Sequence, residues 1–388
     1  MSPRAAILPF HIPDIGDNEI SAVAEVLRSG WLTTGPKVHA FEHAFARYIG
    51  VSHAVAVNSC TAALHLALDT VGLREGDEVL VPTMTFAATA EVVLYFKARP
   101  VLVDCEPDTL NVDPAVLEKA LSPRTRAIIP VHYGGHACDM ARILDIARTY
   151  QLKVIEDAAH ALPASYNGQM VGTFGDLACF SFYATKTLCT GEGGMVITAN
   201  PEYAENVRMM SLHGISKQAW NRYSAEGSWY YEILRPGFKY NMTDIAAALG
   251  LVQLEKCDRM WEARKRIAEI YNDGLGDLDE VVTPAVHGDV EHAWHLYPIR
   301  LDLDPLRIGR AEFITMMREQ NIGTSVHFIP LHLHPFYRDT YRYRREDFPN
   351  ASNAYERLVS LPIYPAMTES DAVDVVTVVR DIIRRNCR

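Results

Sequence analysis

The strongest constraint on the fold is a regular alternation of short apolar runs with helical segments in the first half of the chain. Five runs have the length and apolar character of buried strands: 54–57, 78–82, 100–104, 127–131 and 153–157. Helical segments lie between them, among them 62–71, 113–121 and 139–150. Strands that alternate with helices form an α/β fold, a parallel sheet with helices on both faces. Ligands of such sheets bind at the carboxyl ends of the strands, so the residues after each run are candidate site residues.

The remainder of the chain indicates a second, smaller unit. With 388 residues, the chain is long enough for two domains. We predict a large α/β domain over residues 1–255, with the N-terminal segment, and a small α+β domain over residues 256–388. A long amphipathic helix from 242 to about 274 is expected to join them. The elements expected in the small domain are strands at 296–301 and 324–328 and a helix at 310–320.

Residues 17–27 carry the pattern of an amphipathic helix that begins at Asp17. Ile20, Val23, Ala24 and Leu27 follow the helical spacing and fall on one face. We therefore expect that face to pack against the rest of the protein.

Composition and charge exclude several classes of protein. The net charge of −11 argues against binding to nucleic acid, which requires a basic face. The seven cysteines form no CxxC pair, so we expect reduced thiols in a cytoplasmic enzyme rather than disulfides or a zinc ribbon. The sequence shows neither a signal-peptide layout nor an apolar run of membrane-spanning length, and we expect no membrane partner.

An acid and an amine stand out in the stretch 154–198. The apolar run before the acid ends at Asp157, and an aromatic strand at 180–182 leads to Lys186, which a glycine turn at 191–194 follows. An amine between a buried strand and a glycine turn can be desolvated, which lowers the pKa of a lysine and allows a Schiff base with a carbonyl. A cofactor that carries an aldehyde on a pyridine ring needs an acid near the ring nitrogen, and Asp157 can be that acid. The alternatives are a surface lysine and a helix-capping aspartate.

The turn at 58–61 is a candidate anion site. It joins the run at 54–57 to a helix, and the free N–H groups of a helix N-terminus attract phosphate. The alternative is plain helix capping by Ser59 or Thr61. Cys60 occupies a position where glycine is common in such turns.

Five segments together resemble the DegT/DnrJ/EryC1/StrS family of sugar-nucleotide aminotransferases, which use pyridoxal 5′-phosphate (PLP). They are NSCTAALHLAL (58–68), PTMTFAATA (82–90), EDAAHA (156–161), FSFYATKTLCTGEGG (180–194) and GFKYNMTDIAAALG (237–250). The resemblance implies the type I fold of PLP-dependent aminotransferases, PLP as cofactor, L-glutamate as amino donor and a nucleotide-linked keto sugar as acceptor. It also implies a homodimer with shared active sites.

The resemblance assigns roles to individual residues. Lys186 is the catalytic lysine, which binds PLP as a Schiff base and later moves protons. The other residues expected to bind the cofactor are Cys60, Thr61, Phe86, Asp157, His160, Ser181, Lys239 and Asn241. The residues expected to bind substrate are Thr33, Trp229, Arg235 and His327.

Several of these assignments have alternatives. Phe86 can be a core residue and His160 a structural histidine. The resemblance leaves open whether Lys239 or Asn241 reaches the phosphate in the neighbouring subunit. His327, His332 and His334 invite a zinc interpretation, but no cluster of carboxylates or cysteines supports it, and we expect no metal.

The segments 30–36, 228–244 and 326–336 resemble most the members that aminate C4 of UDP- or dTDP-linked 4-keto sugars, with 2-oxoglutarate as the second product. Amination at C3 is the main alternative. A PLP-type sugar dehydratase is disfavoured because its relatives replace the lysine, and a non-catalytic PLP-binding regulator would lack Lys186, Asp157 or the phosphate turn. The long aromatic loop at 213–240 supplies basic and stacking side chains, although its arginines can instead pair with Glu226 and Glu232.

Overall fold

The computed structural model describes residues 3–215 and 230–388. In chain order the strands are β1 (His53–Val57), β2 (Glu78–Pro82), β3 (Arg99–Val103), β4 (Thr125–Ile128), β5 (Lys153–Asp157), β6 (Ser165–Tyr166), β7 (Gln169–Met170), β8 (Leu177–Ser181), β9 (Gly194–Thr198), β10 (Val281–Val282), β11 (Val290–Glu291), β12 (Tyr297–Leu301) and β13 (Leu358–Leu361). The α-helices are α1 (Asp17–Ser29), α2 (Pro36–Ile49), α3 (Cys60–Thr70), α4 (Ala88–Leu94), α5 (Pro114–Lys119), α6 (Met140–Tyr150), α7 (Pro201–Met210), α8 (Asp244–Glu255), α9 (Cys257–Leu275), α10 (Arg310–Glu319), α11 (Pro335–Tyr341), α12 (Pro349–Arg357) and α13 (Glu369–Asn386).

A seven-stranded sheet forms the centre of the protein, with the strand order β1-β9-β8-β5-β4-β2-β3. Neighbouring strands from β8 to β3 in this order are parallel, whereas β9 runs antiparallel to both β8 and β1. The predicted parallel α/β sheet is therefore confirmed, with one reversed strand near an edge.

Both faces of the central sheet are buried, which explains the continuous apolar runs. Successive residues of a strand point to opposite faces, and in β1 Ala54 and Ala56 join one hydrophobic cluster while Val55 and Val57 join another. Helix α2 contributes to the first cluster and α3 to the second. The helices thus cover the sheet on both sides and leave its strand ends to form the site.

A third hydrophobic cluster lies around the small sheet β10-β12-β13. Helices α9, α10 and α13 pack against this sheet through side chains such as Tyr271, Phe313 and Val379. Other C-terminal residues, such as Leu331 and Phe348, pack instead with the cluster on the α3 side of the central sheet. A second small sheet has the order β11-β6-β7. The domain boundary at 255/256 stays a prediction.

The structure corrects three of the sequence-based elements. The strand expected at 324–328 is absent, and only Ser325 forms a bridge, to Ser360. The helix expected from 242 to about 274 is two helices, α8 and α9, that meet at Lys256. Helix α1 does not pack through the expected face, because Ile20 and Leu27 are 62% and 55% exposed.

The buried residues of α1 are Val26 and, against expectation, Glu19. The Glu19 carboxylate accepts a hydrogen bond from Gln253 of α8 and pairs at 2.5 Å with Lys256, which follows α8. These two partners compensate for burial of the charge.

None of the helices in the described part of the chain has both the length and the apolar character that a membrane span requires.

Candidate active site

The turn between β1 and α3 places the N-terminus of a helix at the carboxyl end of a strand, where the sequence predicts an anion site. The Ser59 side chain caps the helix by accepting a hydrogen bond from Ala62 N–H at 3.1 Å, so the capping interpretation is correct for this residue. Gly194, at the start of β9, lies against the turn: a Cβ there would come within 2.6 Å of the Ser59 carbonyl carbon and 2.7 Å of the Cys60 nitrogen. Only glycine permits this close approach, which holds the N-terminus of α3 at the carboxyl end of the strands.

Lys186 lies in a loop that is closed on itself between β8 and β9. Phe182 N–H donates to Gly193 O and Thr190 N–H to Phe182 O, and Lys186 N–H donates to Tyr183 O at 2.8 Å. Burial lowers the pKa of Lys186 to about 8, and the Asp157 carboxylate acts in the opposite direction. A Cys60 thiolate would act likewise, but burial raises the pKa of this thiol well above its ordinary value and keeps it neutral.

Asp157 ends β5 at the same edge of the sheet and is buried. Its Oδ2 accepts a hydrogen bond from the Thr89 hydroxyl at 2.8 Å, and its Oδ1 accepts one from Ala159 N–H at 3.2 Å. Burial raises the pKa of Asp157, while these two bonds and the charge of Lys186 oppose the rise.

Three histidines surround the space in front of Lys186. His160 stacks on Phe328 with ring centroids 5.7 Å apart and lies 4.4 Å from the ring of His295. Burial lowers the pKa of all three imidazoles, that of His327 to about 4, so they are neutral near pH 7. His327 Nδ1 lies 3.0 Å from Ser360 Oγ, and the Tyr133 hydroxyl donates to the His327 carbonyl.

These groups line one cavity of about 510 Å³ at the carboxyl ends of the strands. That volume is in the range of cavities that hold small molecules. The cavity collects eight of the residues predicted from the sequence: Cys60, Thr61, Phe86, Asp157, His160, Ser181, Lys186 and His327. Phe86 is 62% exposed, so the alternative of a core residue does not hold.

Four other predicted residues do not line this cavity. Thr33 is exposed, and its carbonyl accepts a hydrogen bond from Asp244 N–H at 3.1 Å. Lys239 Nζ donates to Asn241 Oδ1 at 2.6 Å, and Asn241 in turn donates to the Thr34 hydroxyl at 2.7 Å.

Arg235 pairs with Asp69 at 2.6 Å and also donates to Asn206 at 2.6 Å. Trp229 and Glu226 lie outside the described residues, as does the rest of the segment 216–229 of the aromatic loop. The roles of these residues therefore stay predictions.

The zinc interpretation finds no support in the arrangement of the histidines. His332 lies between the hydroxyls of Thr83 and Ser352, at 2.8 and 3.0 Å. Among residues 3–215 and 230–388, no group of three histidine, cysteine or acidic side chains is arranged to hold a metal ion.

The sequence analysis missed several residues of the cavity. Thr85 and Thr89 follow β2 at its carboxyl end, where the rule for parallel sheets would have identified them. Three residues that flank Lys186 were also not predicted as site residues: Tyr183, Thr185 and Glu192. His295 and Phe328 come from irregular segments of the C-terminal part, and neither carries a local signal. All of these side chains line the cavity.

A lysine of lowered pKa, an acid at a strand end and a helix N-terminus lie in one cavity of a mostly parallel sheet, and this combination suits a cofactor that carries an aldehyde on a pyridine ring. Residues 13–380 match the DegT/DnrJ/EryC1/StrS aminotransferase family, and the chain belongs to this family.

Individual relatives agree with this membership over nearly the whole chain. The protein is 53% identical to MJ1066 of Methanocaldococcus jannaschii, with 99% of each chain covered. It is 51% identical to the spore coat polysaccharide biosynthesis protein SpsC of Bacillus subtilis, with 98% of each covered.

A solved structure shows the same fold. Spr1654 of Streptococcus pneumoniae, which is named as a sugar aminotransferase, is 32% identical. In its PMP form it superposes with a TM-score of 0.91 over 98% of each chain, and in its PLP form with 0.90 over 98% of this chain and 99% of Spr1654. The protein is therefore a PLP-dependent sugar aminotransferase, and the type I fold predicted from the sequence is confirmed.

Proposed function

We propose that this enzyme transfers an amino group from L-glutamate to C4 of a UDP- or dTDP-linked 4-keto sugar and forms 2-oxoglutarate. The observation that carries the proposal is the single cavity that contains Lys186, Asp157 and the turn at 59–61. A role in sugar metabolism is supported by the relative SpsC, whose name refers to polysaccharide biosynthesis. The choice of C4 rests on the resemblance of the segments 30–36, 228–244 and 326–336 to members that aminate this position.

The residues of the cavity fit PLP. The helix N-terminus at 59–61 and Ser181 would hold its phosphate, because N–H and hydroxyl donors suit phosphate oxygens. The Asp157 carboxylate would accept a hydrogen bond from the protonated ring nitrogen and keep it protonated, and His160 would contact the ring. Bound PLP supplies an electron sink for the carbon next to the reacting amine.

Lys186 would carry the cofactor and then move protons as the amino group is transferred. A pKa of about 8 suits both tasks, since the amine can be neutral or charged near neutral pH. Neutral imidazoles at His160, His295 and His327 allow a polar sugar to be hydrogen-bonded without a fixed positive charge beside Lys186.

We also propose a homodimer in which the pair Lys239–Asn241 completes the cavity of the neighbouring subunit. The pair lies outside the cavity of its own chain. Large apolar side chains are exposed in the segments near it, with Leu32 44%, Ile233 63% and Leu234 61% exposed. Contact with a second copy would bury these side chains, and two-fold dimers are the commonest assembly.

Mixed subunits test the dimer. An inactive Lys186→Ala subunit has an intact Lys239–Asn241 pair, and a subunit with both Lys239→Ala and Asn241→Ala has an intact lysine. If each hybrid contains one complete site, mixing the two inactive proteins restores activity. An active species that sediments as a monomer would contradict the shared site.

The substrate is tested by offering glutamate with UDP-linked 4-keto and dTDP-linked 3-keto sugars, and by locating the new C–N bond by NMR. We expect the product to carry the amine at C4, and Lys186→Ala serves as the control without turnover. Amination at C3 alone, or turnover of free keto acids without any nucleotide sugar, would overturn the proposal.

A further inference from the structure

We propose that Thr89 is a positioning residue for transamination: its hydroxyl orients Asp157 and keeps it ionised, and Thr85 in turn fixes the direction of that hydroxyl. The proposal rests on the proposed role of Asp157 at the ring nitrogen of PLP. It concerns two threonines that line the cavity without a role in the function described so far.

The hydrogen bonds form a chain that ends on Asp157. Thr85 Oγ1 lies 2.8 Å from Thr89 Oγ1, which lies 2.8 Å from Asp157 Oδ2. A hydroxyl has one proton to donate, and an ionised carboxylate only accepts. With Asp157 ionised, Thr89 therefore donates to Asp157 and Thr85 donates to Thr89. The direction of both bonds depends on the charge of Asp157.

Burial increases the effect of these hydrogen bonds on the charge of Asp157. Thr85, Thr89 and Asp157 are 2%, 1% and 4% exposed, so bulk water competes little for their hydrogen bonds. Desolvation raises the pKa of Asp157, and the largest opposing effect is the bond from Thr89, ahead of the bond from Ala159 N–H and the charge of Lys186. Without Thr89, the carboxylate would lose one of its two hydrogen bonds and a larger fraction of it would be protonated.

The Thr89 hydroxyl differs in its partners from those of two other helical threonines, Thr149 and Thr377. Within helices, a threonine hydroxyl commonly bonds to the carbonyl four residues earlier. Thr149 bonds in this way to Asp145 O at 2.8 Å, and Thr377 bonds to Val373 O at 2.7 Å. Thr89, in α4, bonds instead to two side chains of the cavity. Its hydroxyl is thus committed to Asp157 rather than to its own helix.

The test compares Thr89→Val, Thr89→Ser and Thr85→Val in the PLP-loaded enzyme. Valine keeps the shape and removes the hydroxyl, and serine restores the donor. Thr149→Val, on the exposed side of α6, is the control for loss of a helical threonine hydroxyl. The readouts are retention of PLP on dialysis, the absorbance of bound PLP against pH, and kcat and KM of the complete transamination with glutamate as amino donor.

We expect Thr89→Val to retain PLP and to lower kcat by about 10- to 100-fold, as is typical for loss of a hydrogen bond to a charged group. The acid limb of the plot of kcat against pH should move to higher pH in this variant, because the pKa of Asp157 rises and Asp157 must be ionised to act. Thr85→Val should cost about 2- to 10-fold, and Thr89→Ser and Thr149→Val should resemble the wild type.

Two outcomes would overturn the positioning role. One is an unchanged kcat and acid limb in Thr89→Val, and the other is a failure of serine to restore them. Asp157→Asn separates this role from the underlying assignment. If Asp157→Asn is as active as wild type, the assignment of Asp157 itself is wrong. If Asp157→Asn is impaired while Thr89→Val is not, only the positioning role fails.

Discussion

The rate at which the apoenzyme captures PLP should depend on pH differently from the rate at which a free amine in solution reacts with PLP. An ordinary lysine has a pKa near 10.4, so about one molecule in a thousand carries a neutral amine at pH 7.5. With its pKa lowered by burial to about 8, about one in four Lys186 amines is neutral at that pH. Because only the neutral amine attacks an aldehyde, the protein gains roughly 200-fold in reactive amine.

The assay mixes cofactor-free enzyme with PLP and follows the absorbance change between pH 6 and pH 10. We expect the rate to rise and then level off with a midpoint near pH 8, where the Lys186 amine becomes neutral. Nα-acetyl-lysine with PLP is the reference, and its rate should still increase at pH 10. Asp157→Asn should move the midpoint of the enzyme to lower pH, since the carboxylate favours the ammonium form.

The reasoning fails if the enzyme and Nα-acetyl-lysine follow parallel curves, because Lys186 would then behave as a solvated amine. A midpoint that does not move in Asp157→Asn would mean that the two groups do not interact across the cavity.

Three further variants probe the site and its support. Lys186→Ala should fold normally by circular dichroism and show no turnover; full activity would refute its assignment. Gly194→Ala should weaken PLP binding by tenfold or more in a fluorescence titration, because the new Cβ would meet the Ser59 backbone at 2.6 Å. Glu156→Gln should lower the free energy of unfolding in urea by about 2–4 kcal/mol, since the buried carboxylate accepts N–H bonds from Gly172, Phe174 and Gly175; an unchanged midpoint would count against that.

The central sheet was predictable because its strands are buried on both faces. A strand of this kind is apolar at nearly every position, so runs such as 79–82 can be recognised without knowledge of their neighbours. The reversed direction of β9 was not predictable, because the pattern of buried residues is the same for either direction.

Predictions of individual elements were wrong where polar contacts or the cavity determined the packing. Glu19 is buried because Gln253 and Lys256 bond to it, and no hydrophobic pattern in residues 17–27 reveals those partners. The segment 324–328 has the composition of a strand, but His327 and Phe328 both line the cavity, which the alternating side chains of a strand would not allow.

The candidate site was predictable where it follows strands of the sheet. Asp157 and Thr61 were recognised from such positions, and Thr85 and Thr89 carry the same signal. His295 precedes the small-sheet strand β12 and reaches the cavity only through the packing of distant parts of the chain. Residues of this kind need the three-dimensional structure.

The pairing of β1 with β9 has a consequence for how the protein is made. In this pair His53 lies opposite Thr198, which is 145 residues further along the chain. A ribosome that adds 5 to 20 residues each second needs on the order of ten seconds to supply that partner. During this interval β1 lacks β9, the strand beside it in the sheet, and the turn at 59–61 lacks Gly194. The nascent chain therefore exposes an unpaired strand edge, and it becomes able to receive its cofactor only after translation has passed that glycine.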